Sequence, residues 1–171
     1  TYGLDPQEPA PFLGVVARIT WQKNLDILLE SIDSLLEMGV RLAVVGSAFS
    51  GDAFGCSVEV RFRDLAQRLP ERIFWQPYNL SLSHQVFAAT DFYLMPSRFE
   101  PCGLAQQIAM AYGSIPLVSR VGGLVDTVVD ARSDQALGTG FFITHAGLDE
   151  FLQDTRKILQ SSTSSALSVS R

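Results

Sequence analysis

Arg18 and Lys23 fall within one short stretch, "ARITWQK", directly after the apolar run "FLGVV". An arginine can grip phosphate oxygens with its planar fork and a lysine adds a point charge, so the pair suits a diphosphate. Two solvated loop charges fit the same spacing, since charged side chains mostly face water. A second stretch, "SRFEPCGLA", follows the apolar run "DFYLM" and sets Glu100 ahead of Pro101, Cys102, Gly103, Leu104 and Ala105. The proline and glycine shape a tight turn, and the N–H groups of Gly103, Leu104 and Ala105 would open a helix. Such N–H groups attract an anion, and Gly103 carries no side chain to block its approach. Glu100 would repel that anion, but a carboxylate also accepts hydrogen bonds from hydroxyls and favours a developing positive charge. A sugar nucleotide meets both demands, with phosphates at the helix and a polyol at the carboxylate. The plainer reading of Glu100 is a first-turn acid that complements the helix dipole, worth about 0.3–1 kcal/mol.

Other positions bear on the same chemistry. Gly122 and Gly123, in "SRVGGLVDTV", form either an ordinary turn or a place where backbone can approach a ligand. Tyr78 follows the run "RIFWQ", where its ring could stack on a base, whereas Trp75 within that run reads as core. His84 reads as a helix-surface residue and His145 as a loop residue, and neither is assigned as a ligand. Cys56 and Cys102 form no CxxC pair and have no histidine cluster beside them, so neither a disulfide framework nor a zinc site is suggested. Both are expected to be reduced thiols in a cytosol-like compartment.

The elements that must hold these residues alternate along the chain. "FLGVVA", "RLAVVG", "RIFWQ", "DFYLMP", "IPLVS" and the end of "ALGTGFFIT" read as short buried strands. Between them, "QKNLDILLESIDSLLEMG", "VEVRFRDLAQRL", "SHQVFAA" and roughly Leu104 to Tyr112 repeat apolar positions at helical spacing, and "LDEFLQDTRKILQ" closes the series. Strands alternating with amphipathic helices predict an open, doubly wound α/β domain, its parallel sheet covered on both faces. Ligands of such sheets bind at the carboxyl ends of the strands, where the candidate residues fall. Gly51 to Ser57 is expected to be a flexible loop.

The 171 residues, 47% of them apolar, suffice for one sizeable core, and the expected domain runs over 1–160 with a mobile Ser-rich tail over 161–171. A net charge of −5 gives no overall basic field, which argues against a nucleic-acid surface or a polybasic membrane contact. No stretch reaches the length of a membrane span and the N-terminus lacks the pattern of a leader peptide, so a soluble chain is expected.

As a set, "ARITWQKNLDILLE", "DFYLMPSRFEPCGLAQQIAMAYGSIPLVSRVGGLVDTV" and "GTGFFI" resemble the C-terminal half of bacterial glycogen synthases and plant starch synthases. The resemblance covers most of Pro11 to about Ile143 in the right order, and the pairing of "PSRFEPCGL" with "GGLVDTV" is its most specific part. It implies the Rossmann-like C-terminal half of a GT-B glycosyltransferase, which transfers glucose from ADP-glucose to the non-reducing end of an α-1,4-glucan with retention. It places the donor diphosphate on Arg18 and Lys23 and the glucose on Glu100. The backbone turn that touches glucose and phosphate falls on Cys102, Gly103, Leu104 and Ala105, and the adenine on Tyr78. The resemblance implies no metal, because Arg18, Lys23 and the helix N-terminus would neutralise the leaving diphosphate, and no cofactor beside the donor substrate ADP-glucose.

Related GT-B enzymes often carry a second glutamate eight residues after the first, where this chain has Ile108, and that favours the glycogen and starch synthase branch over users of UDP-sugars. Three departures stand out: Asn24 where glycine is usual, Ala105 where Thr or Asn is usual, and Ala111 where a basic residue is usual. Asn24 can still adopt a left-handed turn, and Ala105 keeps its backbone N–H. The N-terminal domain with its "KTGGL" loop is not in the sequence, so the chain is expected to be inactive alone and to meet its glucan acceptor through that domain. The alternative is a non-catalytic nucleotide-binding or regulatory module derived from the same domain. The resemblance places the protein in a bacterial cytoplasm or a plastid stroma.

Overall fold

The computed structural model describes residues 10–164, in which six strands form one parallel sheet. They are β1 (Phe12–Val16), β2 (Arg41–Val45), β3 (Ile73–Gln76), β4 (Phe92–Met95), β5 (Ile115–Ser119) and β6 (Phe141–Ile143), in the spatial order β3-β2-β1-β4-β5-β6. Each strand lies where its apolar run predicts it. Because successive side chains point to opposite faces, every strand feeds two cores. Leu13, Val15, Leu42, Val44, Phe92, Leu94, Leu117, Phe141 and Ile143 pack on one face with helices α1 (Asp26–Glu30), α2 (Ile32–Glu37), α3 (Ala53–Arg68) and α7 (Leu148–Ser164). Tyr93, Met95, Val118 and Phe142 pack on the other with α4 (Leu80–Ala89), α5 (Ala105–Tyr112) and α6 (Gly123–Thr127). The sheet is therefore doubly wound, as the alternation of elements requires.

Several boundaries differ from the sequence-based expectation. The first helix is interrupted at Ser31, whose hydroxyl donates to the carbonyls of Ile27 (2.7 Å) and Leu28 (3.2 Å), a local bond that competes with helix continuation. The expected flexible loop over Gly51 to Ser57 is corrected: α3 begins at Ala53, because the Asp52 carboxylate caps it by accepting the Gly55 N–H at 3.0 Å. α4 likewise starts early, capped by the Asn79 side chain on the Leu82 N–H. α6 is a short helix that no periodicity announces. α7 runs on to Ser164, four residues past the expected domain boundary, and 165–171 of the expected mobile tail lie outside the described residues.

A charged network ties the segment after α6 to β6 and α7. Arg132 donates to both oxygens of Asp130 (3.0 and 2.6 Å) and to the Phe142 carbonyl, while Asp154 on α7 accepts from the N–H and hydroxyl of Thr144. Burial alone would raise the Asp130 carboxyl, but the bonds from Arg132 hold it below its ordinary value.

Candidate functional site

The chain leaves β1 toward α1 on one face and leaves β4 toward α5 on the other, so a crevice must open where the two strands lie side by side. Only Leu13↔Phe92 and Gly14↔Tyr93 pair before β1 and β4 part. The Tyr93 hydroxyl spans the gap, accepting from the Val16 N–H (3.2 Å) and donating to the Val16 carbonyl (2.8 Å). Burial, partly offset by that bond to Val16, pushes its pKa well above the tyrosine range, so it stays a neutral strut. Above it lies a cavity of about 20 Å³ bounded by Val16, Ala17, Lys23, Pro96, Ser97 and Ala105.

The loop after β1 carries Arg18 outward into solvent, with no side-chain partner among the described residues. It then makes a single 3-10 turn, Trp21–Lys23, that ends at Asn24 in the left-handed region with φ 55°. The buried Asn24 amide donates to the carbonyls of Pro96 (2.9 Å) and His145 (3.0 Å), so asparagine here keeps a glycine-like backbone and adds two bonds. Lys23 Nζ donates to Glu100 Oε2, which also accepts from the Ser97 hydroxyl at 3.4 Å. Glu100 is only 8% exposed. The two charges that the sequence separates by 77 positions thus meet at one point.

The loop after β4 is shaped from behind. Gly122, at φ 47°, and Gly123 press against it so closely that a Cβ on either would sit 2.0 Å from the Glu100 carbonyl oxygen or 2.4 Å from that of Cys102. The Gly123 N–H donates to that Glu100 carbonyl at 3.0 Å. The close approach expected of this glycine pair is made to the chain's own backbone. Gly103 is also left-handed at φ 70°, and its carbonyl accepts from the side chain of the fully buried Gln106 at 2.9 Å. The N–H groups of Gly103, Leu104 and Ala105 find no acceptor among the described residues, while the Cys102 and Leu104 side chains are exposed. These free donors border the crevice, because Ala105 lines it together with Lys23.

Tyr78 stands apart. It is 58% exposed beyond β3, with its N–H donating to the Ser47 hydroxyl at 3.0 Å. Three ladder spacings, about 14 Å, separate β3 from β4. Trp75 packs half-buried against the core, as expected, and His84 lies on α4 with its ring nitrogen 2.8 Å from the Tyr112 hydroxyl. A roomier concavity of about 380 Å³ lies between α3 and β3, lined mainly by Ala66, Pro70, Ile73, Phe74 and Trp75. Arg63 is its one charged group, so the convergent polar chemistry belongs to the small crevice. Both cysteines are free, and among the described residues no group of three or more metal-ligating side chains forms and no helix is long and apolar enough to cross a membrane.

The geometry also adds residues that pattern reading left without a role: Tyr93, Ser97, Gln106, Asp26 and Arg98. The last two form a bidentate ion pair (2.7 and 3.2 Å) across 72 positions, which no local spacing could pair. Their only signal was opposite charge, each beside a candidate residue.

A model of the family described as glycosyl transferases group 1 matches residues 4–168. The chain belongs to this family. Among curated relatives, glycogen synthase 2 of Bradyrhizobium diazoefficiens is 45% identical over 82% of the chain, and the glycogen synthase of Streptococcus agalactiae is 40% identical over 84%. The chain spans less than a third of these proteins, 28% and 29% of their lengths. Among solved structures, the catalytic domain of starch synthase IV from Arabidopsis thaliana, bound to ADP and acarbose, matches with a TM-score of 0.82 and 30% identity over 96% of the chain and 34% of its own length. The sucrose-phosphate synthase of Thermosynechococcus elongatus matches at 0.72 and 23% identity over 94% of the chain and 38% of its own, a likeness of fold. The sheet is the Rossmann-like α/β fold of a GT-B half, as the sequence predicts.

Proposed function

We propose that this chain forms the donor-binding half of a retaining glucosyltransferase that moves glucose from ADP-glucose to the non-reducing end of an α-1,4-glucan. The observation that carries the proposal is the meeting of Lys23, Glu100 and the free N–H groups before α5 at the β1/β4 switch point. In this reading the diphosphate lies between Lys23, Arg18 and the N–H groups of Gly103 to Ala105, which neutralise it as it leaves. Glu100, already at Lys23, accepts hydrogen bonds from the glucose hydroxyls and stabilises the positive charge that grows on the sugar as the glycosidic bond to ADP breaks. Contact between Lys23 and Glu100 means that the phosphate and sugar groups of one donor would be adjacent, as in a nucleotide sugar. Tyr78 would receive the base, at the far side of the same sheet edge. No metal is required, because the cations and the helix N-terminus carry the charge. The acceptor site belongs to residues outside this chain.

The names of the relatives support glucan synthesis and ADP rather than another base. The rival reading, a non-catalytic module, rests on Asn24, Ala105 and Ala111; Asn24 loses weight as support for it, because its left-handed backbone retains the turn. The test is calorimetric titration of the chain with ADP, UDP and ADP-glucose. The expected outcome is saturable ADP binding, weaker UDP binding, and a loss of about tenfold or more in each of Arg18→Ala and Lys23→Ala, the worth of one charged hydrogen bond. Equal affinity of both variants and the native chain would contradict the proposed site.

A further inference from the structure

The turn that carries Lys23 has little of its own to hold it in place. It is one 3-10 turn with no buried residue and no side-chain cap at Thr20, closed by the Lys23 N–H on the Thr20 carbonyl (3.0 Å) and the Asn24 N–H on that of Trp21 (3.2 Å). Such a turn is weak when isolated. Lys23 nevertheless meets a buried carboxylate from the far side of the crevice.

Asn24 anchors the end of the turn on the Pro96 and His145 carbonyls, and Arg98 holds the turn itself. Its guanidinium donates to both oxygens of Asp26 (2.7 and 3.2 Å) and to the Trp21 carbonyl (2.5 Å), and it lies over the Trp21 ring at 4.8 Å. Its backbone N–H donates to the Gln22 carbonyl at 2.9 Å, and the Gln22 side chain returns a bond to the Phe99 carbonyl at 3.1 Å. Among the described residues every partner of Arg98 falls within 21–26, which brackets Lys23 on both sides, and Arg98 is two residues from Glu100. The fork of Arg98 is committed to these acceptors, so it differs from Arg18, whose side chain makes no bond among the described residues.

We infer that Arg98 is a positioning residue, which with Asp26, Trp21 and Gln22 clamps the lysine-bearing loop onto the glutamate-bearing loop so that Lys23 and Glu100 address one ligand. The inference rests on the donor-site reading above and adds what holds that site together. A charge-assisted bidentate pair backed by a cation–π contact fixes orientation as well as distance, which a point charge in place of Arg98 would not.

The test uses ADP titrations of the chain with Arg98→Gln, Arg98→Lys and Asp26→Asn. Each is expected to weaken ADP binding about tenfold, with lysine failing to rescue and the Arg98→Gln/Asp26→Asn pair no worse than either alone, because both break one clamp. Placed on Lys23→Ala, Arg98→Gln is expected to cost almost nothing further. A merely structural role would leave its effect undiminished there, and either that result or unchanged ADP affinity overturns the inference. If the native chain binds no ADP, the donor-site reading fails, and the clamp is judged by urea unfolding. The coupling between Lys23 and Glu100, from Lys23→Ala, Glu100→Gln and their combination, is then expected with Arg98 and lost in Arg98→Gln. Coupling that is the same with and without Arg98 would overturn the clamp itself.

Discussion

Lys23 and Glu100 are the residues on which the proposed donor site and the stability of the fold meet. Their side chains are 17% and 9% exposed, so each charge depends on the other more than a surface pair would. Lys23→Ala should therefore cost about 2 kcal/mol of stability at neutral pH by leaving a buried carboxylate with the Ser97 hydroxyl as its remaining side-chain donor. Adding Glu100→Gln should recover more than half of that, read from urea midpoints; an equal or larger loss in the double variant would show that the pair is not coupled. Both residues could be singled out from the sequence, because each stands beside a strand end or a helix start where charge has a use. Their contact could not. Besides the Arg98 clamp it involves Asn24, whose side chain bonds the carbonyls of Pro96 and His145 and so joins three loops that are far apart in the chain.

The elements were legible wherever a period or a cap was strong. All six strands follow from apolar runs, because strands buried on both faces need no alternation. Where local bonds overrode periodicity the sequence misled: Ser31 splits the first helix, and Asp52 starts α3 inside the segment that composition marks as a loop. α6 was invisible because its role is to bring Gly122 and Gly123 against the Glu100 loop, a long-range contact that two glycines alone do not specify. Gly122→Ala should accordingly cost about 3 kcal/mol by thermal or urea unfolding, since a Cβ at φ 47° would meet the Glu100 carbonyl at 2.0 Å; a loss within about 0.5 kcal/mol would refute that contact. The network joining the 129–133 segment to β6 has a pH signature. The Asp130 carboxyl titrates below its ordinary 3.8 in the folded chain, so its contribution is present above that value and is lost as pH falls through the lower folded one. Asp130→Asn should flatten the acid limb of the stability profile there, and an unchanged limb would remove Asp130 from the network. The partial exposure of Arg132 keeps the effect modest.

For the whole molecule, a net charge of −5 coexists with four cations, Arg18, Lys23, Arg98 and Arg120, that follow strands at the carboxyl end of the sheet, two of them engaged by Asp26 and Glu100. The same edge exposes Trp21, Phe99 and Leu104, which lie within two residues of Lys23, Glu100 and Ala105 in the chain. Both features fit the proposed donor site at one edge of the fold, with the roomier groove beside β3 outside it. A ¹H–¹⁵N NMR titration of the labelled chain with ADP tests this most directly, since it reports where the nucleotide lies and not only that it binds. The expected shifts cluster on Arg18 to Asn24 and on Gly103 to Gln106, with a weaker group near Tyr78. Shifts centred on Arg63 to Gln76, or none at saturating ADP, would contradict a donor site at the β1/β4 switch point.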